Sequence, residues 1–359
     1  MSVTRLEIAN VRNLQSVSLL PHPRLNLLTG ANGSGKTSVL EALHLLGLGR
    51  SFRSGRARRL VNDAESACTV FAVFADGGQA GIRRGANGET DLKVDNSSQV
   101  TLAQLVHRLP LCLLDPESMD LLDAGSKPRR AQLDWGVFHV EHRFYPVWLR
   151  YQRALKQRNS LLRSGNIGRL ESAVWHRELA ESAYQLHSFR EAYLASWQPV
   201  WVELMQAFLP DQDLSLDYMP GWDLSLPLET QLADSWEKDV ERGHTQIGPH
   251  RADLRVKRGT APADEVLSRG QKKLVVCALK LSQVALLQAT GRECVLLVDD
   301  LASELDAIAR QRMIDYLAAS GAQVFITSIE QEAVMPALEG TGSSFKMFHV
   351  EHGNVVEVA

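Results

Sequence analysis

Nowhere in this chain do about 20 apolar residues run together, so nothing in the sequence has the length and character of a membrane-crossing helix. The first residues, Met1-Ser2-Val3-Thr4-Arg5-Leu6-Glu7-Ile8, alternate like a strand and lack the apolar centre of a secretion signal. Cysteine is scarce: Cys68, Cys112, Cys277 and Cys294 lie far apart among mostly apolar neighbours and form no Cys-x-x-Cys pair. That spacing does not fit a disulfide framework, and points to buried thiols in a reducing compartment. No membrane role and a cytoplasmic location are expected by elimination. An excess of charge of either sign is also missing, with 39 Lys and Arg against 42 Asp and Glu and a net charge of −3. The chain as a whole therefore has no attraction for polyanions, and any nucleic-acid contact must come from a local basic face.

What is present begins at Gly30-Ala31-Asn32-Gly33-Ser34-Gly35-Lys36-Thr37, which matches the phosphate-binding pattern G-x-x-x-x-G-K-[ST] in full. Arg24 to Thr29 reads as a buried strand before it, and Ser38 to Leu46 repeats apolar residues at helical spacing after it. In that context the glycines turn backbone N–H groups inward around a phosphate, and the helix adds the positive end of its dipole. Lys36 then neutralises the β- and γ-phosphates, and the Thr37 hydroxyl ligates Mg²⁺. These eight residues are expected to bind a nucleoside triphosphate, taken as ATP.

Along the rest of the chain, residues 1–115 read as a strand-rich lobe, 116–245 as a helical insertion and 246–359 as the return of a β/α pattern. Arg50 to Arg59 holds five arginines in ten residues, equally readable as a solvated loop or as a phosphate contact. All seven tryptophans fall between residues 135 and 236, where helical periodicity is long. A basic stripe of Arg150, Arg153, Lys156, Arg158 and Arg163 lies there, and Pro210 to Pro227 reads as an irregular connection. Phe-His-Val-Glu-His occurs twice, at Phe138 to His142 and at Phe348 to His352, without the geometry of a metal pair in its second copy.

The last lobe carries three informative stretches. Leu267-Ser268-Arg269-Gly270-Gln271 opens a long apolar-periodic helix, and its Ser268 and Gly270 offer a second anion site. Cys294 to Val298 is apolar on both faces, as in the middle of a parallel sheet, and ends in Asp299-Asp300. Asp299 is expected to hold the Mg²⁺, and Asp300 to orient or deprotonate the attacking water. Gln323 to Ser328 is a further core strand whose polar end can reach the γ-phosphate.

The order of phosphate loop, helical insertion, Leu-Ser-Arg-Gly-Gln, Asp-Asp strand and Ser303-Glu304-Leu305-Asp306 resembles the ATPase heads of the ABC and structural-maintenance-of-chromosomes superfamily. The combination of Arg12-Asn13-Leu14, Gly49-Arg50-Ser51-Phe52-Arg53, Asp115-Pro116-Glu117, Lys127-Pro128-Arg129-Arg130 with Asp134, and Gly248-Pro249-His250-Arg251 is similar to the RecF family of bacterial recombination mediators, over essentially the whole length. The resemblance implies an α/β fold, an ABC/SMC-type P-loop ATPase head with a helical second lobe inserted in it. It implies that Arg12 and Asn13 join the nucleotide site, and that Ser268 and Gly270 form a signature that closes on the γ-phosphate held by a second subunit. It further implies an ATP-dependent homodimer that clamps single- and double-stranded DNA near gap junctions without base specificity. Such a dimer works beside recombination mediators of the RecR type and helps load recombinase in repair, replication restart and SOS induction. A nucleotide-gated protein-interaction module with incidental DNA contact is the alternative. Val11, Ala252, the lack of His at Thr327-Ser328, and Asp300 where a Glu is usual depart from the wider pattern. The shorter Asp300 predicts slow hydrolysis, suited to a switch. DNA-contact candidates are Arg53, Arg56, Arg58, Lys127, Arg129, Arg130 and Arg153.

Overall fold

The computed structural model describes residues 2–164, 173–300 and 305–358. Two compact units are present, residues 1–119 with 269–359, and residues 120–268. Strands are numbered in chain order: β1 Val3–Val11, β2 Leu14–Leu19, β3 Leu25–Thr29, β4 Ala67–Phe74, β5 Gln79–Gly85, β6 Thr90–Val94, β7 Leu111–Leu114, β8 Ser215–Met219, β9 Asp253–Arg258, β10 Ala261–Pro262, β11 Val295–Val298, β12 Gln323–Ser328, β13 Phe345–Glu351 and β14 Asn354–Val358.

The first unit holds two sheets. Strands β2-β1-β4-β5-β6 form an antiparallel sheet, and β14-β13-β3-β12-β11-β7 form a sheet that is parallel except for its β13–β14 hairpin. Strands β3, β11 and β12 are buried along their whole length, which is why they read as unbroken apolar runs. Helix α1, Lys36–Leu48, packs against β1, β4 and β5 of one sheet and β7 and β12 of the other. Its Val39, Leu40, Leu43, Leu45 and Leu46 are all fully buried in the core cluster, so the helix is apolar nearly all round because both its sides face a sheet. Register places the C-terminal ends of β3, β12 and β11 side by side, with Ile326 opposite both Leu27 and Val298. The phosphate loop leaves β3 at that edge, and Asp299-Asp300 leaves β11 there.

The second unit is built on the helices Ser126–Val140, Phe144–Ser164 and Ala173–Phe208, with the antiparallel sheet β10-β9-β8. Trp197 and Trp201 are fully buried in it. The helical unit runs on to Ser268, past residue 245, because β9 pairs with β8 rather than with a strand of the first unit. Strand β8 itself lies inside the stretch read as an irregular connection. The basic stripe also needs correcting. Tyr151, Ala154, Leu155, Arg158 and Leu162 form the buried face of their helix, so Arg158 turns inward. It bonds Asp239 Oδ2 at 2.8 Å and Thr245 Oγ1 at 2.7 Å, with no exposure on either ion-pair side chain. No helix among the described residues is long and apolar enough to cross a membrane.

Candidate nucleotide site

A cavity of about 620 Å³ opens at the shared edge of the parallel strands, and its wall includes Asn13, Asn32, Gly33, Thr327 and Ile329. Lys36 Nζ donates to the carbonyl oxygens of Gly30 at 2.6 Å and Ala31 at 3.0 Å, so the loop's own backbone cradles the ammonium. Burial lowers the Lys36 pKa, and the nearby carboxylates of Asp300 and Asp299 oppose that shift. The loop is fixed from outside. Asn13 Nδ2 donates to Ser34 O at 2.9 Å, Ser38 Oγ donates to Asn13 Oδ1 at 3.1 Å, and Gly353 N–H donates to Ser34 O at 2.9 Å.

In the same cavity, two hydroxyls converge on one carboxylate oxygen. Thr37 Oγ1 donates to Asp299 Oδ1 at 3.0 Å and Thr327 Oγ1 donates to the same atom at 2.7 Å. Burial raises the Asp299 pKa, and the hydroxyls of Thr327 and Thr37 work against the rise. A hydroxyl and a carboxylate oxygen this close, beside the phosphate loop, form a hard oxygen pair of the kind Mg²⁺ takes. Asp300 has φ +52° and donates its N–H to Thr327 Oγ1 at 2.8 Å. Left-handed backbone at a non-glycine residue costs on the order of 1 kcal/mol and is held here by the strand beside it.

Arg12, Arg53 and Arg59 line the same cavity. Arg12 also sits at positive φ, +54°, in the turn between β1 and β2. Its guanidinium makes two bonds of 2.8 Å to the carboxylate of Glu41, whose side chain is wholly buried in α1, and this pairing raises its pKa. The Ser51 hydroxyl donates to the same carboxylate.

The structure thus brings together Arg12, Asn13, Asn32, Gly33, Gly35, Lys36, Thr37, Asp299 and Asp300, with Gly30, Ala31 and Ser34 completing the loop. Gly270 is not among the cavity residues; it is exposed near the start of the 21-residue helix Arg269–Ala289, and Ser268 just before that helix is exposed too. Ser303 and Glu304 lie outside the described residues, while Asp306 caps the helix Ala307–Ala319. Of the DNA candidates, Arg53 lines the same cavity as Lys36, and Arg129 is spent on Asp253 at 2.8 and 2.9 Å. Arg130 is half-buried and bonds the carbonyl of Ala252. Arg56, Lys127 and Arg153 are exposed. Sequence reasoning missed Glu41, and a lone acid inside an otherwise apolar helix was the available signal.

Phosphate loop, paired strand carboxylates and a long helix carrying Ser-x-Gly at its start define an ATPase head of the SMC type, and the chain matches the RecF/RecN/SMC N-terminal domain family over residues 2–355. A crystal structure of an Smc head bound to the C-terminal winged-helix domain of ScpA shares this fold, with a TM-score of 0.62 at 14% identity over 100% of this chain and 98% of that one. Within that class the chain belongs to the RecF family of DNA replication and repair proteins. It is 47% identical to RecF of Pseudomonas paraeruginosa (strain DSM 24068 / PA7) over 99% of this chain and 97% of that protein. It is also 47% identical to RecF of Stutzerimonas stutzeri (strain A1501), over 100% and 98%. A solved structure of the recombination mediator protein RecF with ATP, in the RecFOR pathway, superposes with a TM-score of 0.87 at 26% identity, covering 100% of this chain and 98% of that one.

Proposed function

We propose that this protein is an ATP-driven molecular switch that binds DNA without base specificity and acts as a recombination mediator. The observation that carries the reading is the convergence of Thr37 and Thr327 on Asp299, in the same cavity as Lys36. Lys36 leaves the loop carbonyls to meet the β- and γ-phosphates of ATP. Thr37 and Asp299 would hold Mg²⁺, which would supply positive charge beside the phosphates. Thr327 fixes both acids, Asp299 through its side chain and Asp300 through its backbone N–H. Asp300 accepts a proton from the attacking water, and its short reach makes turnover slow.

Ser268 and Gly270 serve a second copy of the chain, giving a head-to-tail dimer with ATP at each shared site. DNA is then gripped through its phosphates by exposed Arg and Lys such as Arg56, Lys127 and Arg153, and affinity falls with salt. Partners are mediators of the RecR type, as the RecFOR context of the solved relative suggests, and the outcome is recombinase loading at single-strand gaps.

Sedimentation velocity without nucleotide, with ADP, and with ATP and Mg²⁺ tests the switch. A dimer that requires ATP, is lost in Ser268→Arg and persists in Asp300→Asn supports the reading. A monomer under every condition refutes it.

A further inference from the structure

Glu41 is the one acid in α1, fully buried one turn past the phosphate-loop residues Lys36 and Thr37. Its carboxylate bonds Arg12 of the cavity wall directly and, through Ser51, the segment that carries Arg53. Its Oε2 accepts from Arg12 Nε and its Oε1 from Arg12 Nη2, both at 2.8 Å, and Oε1 also accepts from Ser51 Oγ. Ser51 Oγ in turn accepts the backbone N–H groups of Arg53 and Ser54, each at 3.0 Å. One turn further along α1, His44 Nδ1 pairs with the carbonyl of Arg50 at 2.7 Å, and its ring meets Phe52 edge-on. The Arg50–Ser54 segment is therefore gripped from α1 at three points, and Arg12 is clamped through two of its three guanidinium nitrogens. Arg12 keeps only 22% side-chain exposure, so what it presents to the cavity is set by the carboxylate behind it.

We infer that Glu41 is a positioning residue for nucleotide binding: it aims Arg12 directly, and Arg53 through Ser51, at the phosphates in the cavity. A planar guanidinium held in two places by a buried carboxylate has its remaining N–H groups pre-directed, so nucleotide binding need not order it. The same helix thereby carries the phosphate loop at its start and the anchor of two arginines a turn later. This inference rests on the nucleotide reading above.

The test measures affinity for a fluorescent N-methylanthraniloyl derivative of ATP with Mg²⁺, for wild type, Arg12→Ala, Glu41→Gln and the double variant, with melting temperatures alongside. Glu41→Gln keeps the shape of the side chain and removes its charge. The expected result is about tenfold weaker binding in each single variant, and at most about threefold further loss in the double variant, since Glu41 acts mainly through Arg12 and otherwise only through Ser51 and Arg53. Additive losses would mark Glu41 as a merely structural residue and overturn the inference. So would unchanged or tighter binding in Glu41→Gln, because a carboxylate that competes with phosphate for Arg12 would release it when neutralised. Should Glu41→Gln not fold, Ser51→Ala stands in: binding weakened about threefold, and unaffected once Arg53 is already alanine, supports the positioning role, and full wild-type affinity refutes it. Wild-type protein that fails to bind the probe overturns the nucleotide reading, and this one with it. Wild-type binding with an indifferent Glu41→Gln overturns only this one.

Discussion

Replacing Gly30 with alanine separates two explanations of why the phosphate loop stays in place. Gly30 has φ +147°, and a Cβ there would fall well inside van der Waals contact of the Val350 carbonyl oxygen. Val350 belongs to β13, which pairs in parallel with β3, the strand that delivers the loop. Neither atom can turn away, since one is a main-chain oxygen in a sheet and the other has no side-chain freedom. The substitution therefore carries backbone strain of about 1–3 kcal/mol plus overpacking of similar size, about 4 kcal/mol together. Gly33→Ala is the matched control. It also has positive φ, +77°, but a Cβ there meets no atom within 4 Å, leaving only the strain of about 1–2 kcal/mol. For a unit of this size each kcal/mol moves the melting temperature by about 2–4 °C, so Gly30→Ala should melt about 8–16 °C lower and Gly33→Ala about 2–8 °C lower. Calorimetry of the three proteins without nucleotide decides the matter. Equal melting temperatures for the two variants would refute the argument that the C-terminal hairpin is the wall against which the loop is set.

Lys36→Ala removes charge-assisted bonds to phosphate and should weaken ATP binding about 100-fold, measured by titration calorimetry, while leaving the melting temperature near wild type. Asp300→Asn should bind ATP within about threefold of wild type yet turn it over about 100-fold more slowly in a phosphate-release assay, because Asn tolerates the same left-handed backbone. Burial pushes His44 down from 6.5 to about 4. A folded pKa below the unfolded one gives stability that is complete above pH 6.5 and lost as pH falls towards 4, up to about 3 kcal/mol in all, and His44→Asn should flatten that part of the pH–stability curve. Arg158→Leu leaves Asp239 buried without its cation and should cost about 3–5 kcal/mol in urea denaturation.

The candidate nucleotide site was legible where its chemistry is local. Gly30 to Thr37 lie in one run, and Asp299-Asp300 end an apolar strand that could only be central, so position in the sheet followed from composition. Even Thr327 could be anticipated from the polar end of its strand. What stayed hidden is pairing between distant residues. Strand β8 is five residues long and exists because β9 lies beside it, a contact that no local period announces. The arginines show the limit most clearly. Arg53, Arg129, Arg130 and Arg158 look alike in the sequence, as members of basic clusters that could all face DNA. In the fold Arg158 and Arg129 each answer a buried carboxylate, Arg130 answers a main-chain carbonyl, and Arg53 lines the cavity that holds Lys36. The information that sorts them sits in the acids, Asp239 and Asp253, and a buried acid is recognisable in advance only where its surroundings are apolar. Glu41 meets that condition: inside Val39-Leu40-Glu41-Ala42-Leu43 on a helix that both sheets cover, an ionised carboxylate requires a cation, and the turn at Arg12 supplies it.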